Sequence, residues 1–127
     1  MKRVVVAVQN TLVSEAILSA LKKRGMIAEK SPSGEPQAVA NICSAFFADV
    51  LVTDVTRFGN GTFDNRAETV NETKRANPQI KVCFVCDNVS DADLSFKVTD
   101  AKETGLIDAF FYQSLPSDYI ADVISTI

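Results

Sequence analysis

Histidine and tryptophan are absent from this chain of 127 residues, and cysteine, proline and glycine are sparse, at 3, 4 and 5. Without His the commonest general base is missing, which excludes Ser-His-Asp and Cys-His nucleophile pairs and every His-containing zinc site. The cysteines Cys43, Cys83 and Cys86 are odd in number, in a chain long enough to build its own core. That argues against a disulfide scaffold and for a reducing compartment, so a cytoplasmic location is expected. Positive charge is also short: 13 Lys and Arg stand against 16 Asp and Glu, a net charge of −3. Phosphate contacts need clustered basic residues, so no nucleic-acid partner is expected. Long apolar runs are missing too. Val4 to Val8 is too short for a signal-peptide core, and nothing approaches the ~18 residues a membrane span requires. No membrane association is expected.

What is there is 46% hydrophobic and 23% charged, the balance of one globular domain over residues 1–127. Short apolar runs alternate with amphipathic segments. Val4 to Val8 has the composition of a strand buried on both faces. Asn10 or Thr11 can cap a following helix, on which Val13, Ile17, Ala20 and Leu21 recur at helical spacing and which Gly25 ends. Met26 to Ala28 predicts a second strand, and Ser31 to Gly34 a loop. Pro36 suits the first turn of a second helix, whose stripe of Val39, Ile42, Cys43, Phe46 and Phe47 places both phenylalanines in the core or at its edge. Val50 to Val52 predicts a third strand, closed by Thr53 and Asp54, and Gly59-Asn60-Gly61 bends the loop that follows. A polar, weakly amphipathic helix is expected over 65–76. A fourth strand is expected at Ile80 to Val85, and a helix through Leu94, Val98 and Ala101. A fifth strand is expected at Ile107 to Tyr112, and a last helix capped by Ser117. Five such units, with connections too long for hairpins, predict an α/β fold: a doubly wound, five-stranded parallel sheet with helices on both faces. Functional groups in such sheets gather at the carboxyl ends of the strands. Here those groups are Gln9, Asn10, Ser31, Asp54, Cys86, Asp87, Gln113 and Ser114.

The segment from Asp49 through Asp54 to Gly61 resembles the third strand and loop of bacterial response-regulator receiver domains, the CheY-like family. The resemblance extends through nearly the whole chain in element order and length, and it implies a flavodoxin-like (βα)5 domain. Asp54 and Gly61 match the family's phosphoacceptor Asp and its following Gly, while Phe58 stands at a usual Pro. The resemblance implies a signal-transduction module of a two-component or phosphorelay system rather than an enzyme. In the family, phosphoryl transfer to the Asp uses Mg²⁺ held by an acidic pair after the first strand; the metal neutralises phosphoryl oxygens. Here that pair is Gln9 and Asn10, which bring no negative charge. Cys86 replaces the hydroxyl residue closing the fourth strand, and a thiol is a weak donor. Gln113 replaces the Lys closing the fifth, and Phe110 matches the switch aromatic.

Substitution at four positions points to an atypical, degenerate receiver acting by protein contact, with no cofactor. The implied partner is a histidine kinase, an output domain or an effector, bound through the fourth helix, fifth strand and fifth helix. A homodimer through the same face is the other implied partner. Two other readings remain. One is a functioning receiver phosphorylated on Asp54 by a histidine kinase, with Asn10 and Asp87 helping to hold weakly bound Mg²⁺. The other is a small-molecule-binding flavodoxin-like domain using the same crevice. Cys83 and Cys86 are three apart on a strand, so their sulfurs point to opposite faces, which opposes a redox or metal pair. Cys86, at the strand end, is the better placed of the two for a reactive thiol.

Overall fold

The computed structural model describes residues 2–56, 61–86 and 92–127. Five strands, β1 (Arg3–Ala7), β2 (Ile27–Lys30), β3 (Val50–Val55), β4 (Lys81–Cys86) and β5 (Ala109–Tyr112), alternate with five helices. The helices are α1 (Thr11–Lys23), α2 (Pro36–Phe46), α3 (Phe63–Ala76), α4 (Ala92–Glu103) and α5 (Ser117–Thr126). All strand pairs are parallel, in the order β2-β1-β3-β4-β5. This is the flavodoxin-like (βα)5 arrangement expected from the sequence.

The alternation of side chains along each strand divides the core in two. Val4, Val6, Val50, Val52, Cys83 and Phe111 pack under α1 and α5. Val5, Leu51, Val82, Phe84 and Cys86 pack under α2, α3 and α4. Cys83 and Cys86 therefore do face opposite sides. Arg24, at the end of α1, bridges to Asp122 at 3.1 Å and donates to the Asp118 carbonyl at 2.9 Å, joining α1 to α5. The last turn of α5 has no basic residue of its own. Lys2 supplies one, its Nζ donating to the carbonyls of Ile124, Ser125 and Ile127 at 3.0, 3.2 and 2.6 Å.

Several element ends differ from the expectation, each for a local reason. β2 starts at Ile27 and runs on to Lys30, because its ladder with β1 continues through Glu29 and Lys30 after the apolar residues stop. β3 continues past Asp54 to Val55, which pairs with Cys86. β5 begins two residues late. The Asp108 carboxylate accepts the Val82 N–H at 2.8 Å, a role that a strand neighbour's carbonyl would otherwise fill. The stripe on α2 stops at Phe46. Phe47 caps the helix in the left-handed region (φ 55°), and its ring is 77% exposed, so it lies outside the core. Pro116, not Ser117, is the N-cap of α5.

Candidate functional site

Asp54 lies at the carboxyl end of β3, between the ends of β1 and β4. It is only 1% exposed. Its Oδ2 accepts the backbone N–H of Gln9 at 3.0 Å, and its Oδ1 accepts Nη2 of Arg66 at 2.6 Å. Arg66 comes from the first turns of α3 and is 0% exposed. Its Nε donates to the Asp54 carbonyl at 2.9 Å, and its Nη1 to the Gly34 carbonyl at 3.0 Å. One guanidinium thus joins α3, the end of β3 and the loop between β2 and α2. The carboxylate contact is a single charge-assisted hydrogen bond, and the other two arms of the fork are spent on backbone carbonyls in a fully buried setting.

Arg66 was not among the residues singled out from the sequence. It belongs to the buried stripe of α3, Arg66, Thr69, Val70 and Thr73, at helical spacing i, i+3, i+4 and i+7. The two threonines fit this interior by donating back to the carbonyls of Asn65 and Thr69, at 3.1 and 2.7 Å. Val70 is the stripe's single aliphatic residue, so α3 reads as polar although it packs against α2 and the sheet.

The other candidates gather around the same strand ends. Gln9 is exposed, and its Nε2 lies 3.2 Å from where a Gly34 Cβ would project, with Arg66 Nη1 at 3.4 Å from that point. Gly34 thus lies close beside both side chains. Asn10 caps α1, its Oδ1 accepting the Val13 N–H at 3.2 Å. Cys86 is buried at the end of β4, and its carbonyl accepts the Gln113 N–H at 2.9 Å. Phe110 is half-buried, edge-on to Tyr112 at 6.2 Å between centroids, with Lys102 Nζ 6.0 Å above its ring. Gly61 closes the β3–α3 loop: Thr56 N–H donates to its carbonyl at 2.7 Å, and a Cβ there would collide with the Thr56 side chain. Phe58, Gly59, Asn60 and Asp87 lie outside the described residues. Among the described residues, no group of three His, Cys, Asp or Glu side chains is placed to hold a metal ion.

No protein-family model matches the chain, and no curated protein matches it either. Solved structures do. A response regulator receiver domain protein from Clostridium thermocellum superposes with a TM-score of 0.74 at 15% identity, covering 99% of this chain and 93% of that one. The fold is that of a receiver domain. A LuxR-family DNA-binding response regulator from Staphylococcus aureus matches with a TM-score of 0.72 at 14% identity, over 99% and 98% of the two chains. The CheY-like protein TadZ from Pseudomonas aeruginosa PAO1 matches with a TM-score of 0.71 at 13% identity, over 99% and 92%. The elements α4 and β5 and the segment into α5 carry exposed Phe96, Tyr112, Leu115 and Tyr119. Ser95 and Tyr112 hydroxyls lie 3.3 Å apart across α4 and β5, and Tyr119 packs edge-on against Phe111 at 6.3 Å. Among the described residues, no helix is long and apolar enough to cross a membrane.

The buried thiols have a measurable consequence. Burial pushes Cys43 and Cys83 up from the ordinary 9.0 to about 12; for Cys83, Asp108 raises it further and Lys2 opposes. The folded chain keeps these protons after the unfolded chain has lost them. Stability from this source is therefore intact below pH 9.0 and declines as pH rises towards 12. The urea midpoint is expected to fall between about pH 8 and about pH 10.5, and to fall less in a Cys43→Ala/Cys83→Ala variant. Equal falls in the two proteins would contradict the assignment.

Proposed function

We propose that this chain is an atypical receiver-like signalling module, cytoplasmic and non-enzymatic, which works by protein contact and without phosphorylation of Asp54. The observation that carries this reading is the ligation of Asp54. A nucleophilic carboxylate must present a free oxygen in line with the phosphoryl donor. Here one oxygen is held by a buried guanidinium and the other by a backbone N–H, in a side chain shielded from solvent. The neutral residues Gln9, Asn10 and Gln113 supply neither the charge for Mg²⁺ nor the cation for a phosphoryl group.

The output surface in this reading is the α4–β5–α5 face. Phe96, 73% exposed, and Tyr119, 53% exposed, offer aromatic anchors of the kind that dominate protein contacts. A partner protein docked there would be governed by its own affinity for one conformation of the face. The direct test is incubation with a small-molecule phosphodonor and Mg²⁺, followed by intact mass measurement. The expected spectrum shows no gain of a phosphoryl group under conditions that modify a conventional receiver. A stoichiometric gain, lost in Asp54→Ala, would replace this reading with that of a functioning receiver.

A further inference from the structure

The receiver resemblance implies a divalent cation beside Asp54, and the described residues around Asp54 do not fit one. Mg²⁺ demands oxygen ligands in near-octahedral array and is usually held by one or two carboxylates. Among the described residues, three protein oxygens converge on the Arg66 guanidinium: Asp54 Oδ1, the Asp54 carbonyl and the Gly34 carbonyl, while Asp54 Oδ2 accepts the Gln9 N–H. Each of the three already accepts an N–H of Arg66, at 2.6, 2.9 and 3.0 Å. The Asn10 side-chain Oδ1 is turned to the α1 cap, where it accepts the Val13 N–H.

We infer that the Arg66 guanidinium is a built-in replacement for that cation, which neutralises Asp54 and ties the β2–α2 loop to the strand ends. A planar fork suits this role better than a metal would, because each acceptor lies on a different N–H of one rigid group. Gly34 lies close against the tether. A Cβ on Gly34 would lie 3.2 Å from Gln9 Nε2 and meet Arg66 Nη1 at van der Waals distance, 3.4 Å. The loop is stiffened further by its own contacts, Ser31 Oγ donating to the Ser33 carbonyl at 2.7 Å and Ser33 Oγ accepting the Glu35 N–H at 3.1 Å. The position of this loop is thereby set without any metal ion. In a receiver that uses Mg²⁺, the same charge is exchangeable; here it is covalently part of α3. The inference rests on the receiver-like reading, since that reading is what makes a cation at Asp54 an expectation.

The test uses Arg66→Ala in the full chain, with methylguanidinium chloride as the probe and methylammonium chloride as the ionic control. Truncation leaves a slot shaped for a guanidinium. Millimolar methylguanidinium is expected to raise the melting temperature of Arg66→Ala saturably, by roughly 3 °C or more. Wild type and Arg66→Ala/Asp54→Ala are expected to show no such rise. Mg²⁺ is expected to leave the wild-type melting temperature unchanged. A flat response of Arg66→Ala to methylguanidinium, or saturable stabilisation of wild type by Mg²⁺, would overturn the inference. Phosphoryl transfer to wild type is read separately, by intact mass, so failure of this inference and failure of the receiver-like reading are distinguished. If Arg66→Ala does not fold, the wild-type Arg66 Nε–H signal, assigned by its loss in Arg66→Lys, decides. Slow solvent exchange, unaltered by a chelator or by Mg²⁺, supports the built-in cation; exchange at the rate of a surface arginine refutes it.

Discussion

Arg66→Met is expected to destabilise the domain by about 3–5 kcal/mol, because it strands the Asp54 carboxylate in the interior without its counter-charge. That is a large share of the ~5–15 kcal/mol that holds an ordinary domain together. The pair is buried at both ends, with the side chains of Arg66 and Asp54 at 0% and 2% exposure, so solvent screens neither charge. Asp54→Ala is expected to cost a similar amount, since it leaves the guanidinium unpaired. Arg66→Met/Asp54→Leu should recover much of the loss, because apolar groups of similar volume often replace a buried pair at little net cost. Urea denaturation of the four proteins measures the cycle. If Arg66→Met lies within about 0.5 kcal/mol of wild type, the guanidinium is not the counter-charge of Asp54.

Phe84→Ala is expected to cost about 3–5 kcal/mol through lost burial and the cavity left behind. Phe84 is fully buried in the middle of β4, paired in register with Thr53 and Phe110, and the ring of Phe63 meets it edge-on at 6.2 Å between centroids. Phe63 is the first residue of α3, so the same contact sets where that helix begins over the sheet, one turn before Arg66. Phe84→Leu keeps most of the volume and should cost markedly less. Chemical denaturation checks both; equal, small losses would mean that the α3 side of the sheet closes around the deletion.

The central strands β1, β3 and β4 were legible because each is an apolar run buried on both faces, and the helices because most carry an aliphatic stripe. Register, not composition, decided the ends. Glu29 and Lys30 extend β2 because β1 is there to pair with them, and Asp108 shortens β5 because its carboxylate does a backbone carbonyl's work. Phe47 continued the stripe of α2 on paper, but the helix had already ended in a left-handed residue. Asp54, Gln9, Asn10, Cys86 and Gln113 could be placed from the ends of their strands. Arg66 could not, because hydrophobic periodicity counts Arg and Thr as outward-facing. The signal lay in spacing alone: Thr69, Val70 and Thr73 form a face, and Arg66 completes it one turn earlier, towards the strand ends. A threonine counted by its methyl group would have revealed that face and drawn attention to the arginine on it.

In this reading Asp54 is committed to Arg66 and does not take a phosphoryl group. That commitment is tested most directly by a ¹⁵N NMR titration of the wild-type chain with Mg²⁺ and beryllofluoride, which stands in for a phosphoryl group on a carboxylate, repeated on Asp54→Ala. No saturable shifts are expected at the amides of Asp54, Cys86 and Gln113 at millimolar Mg²⁺, with the Arg66 side-chain signal unmoved. Saturable shifts at those amides, absent from Asp54→Ala, would contradict this reading and make this chain a phosphorylation switch with unusual ligands.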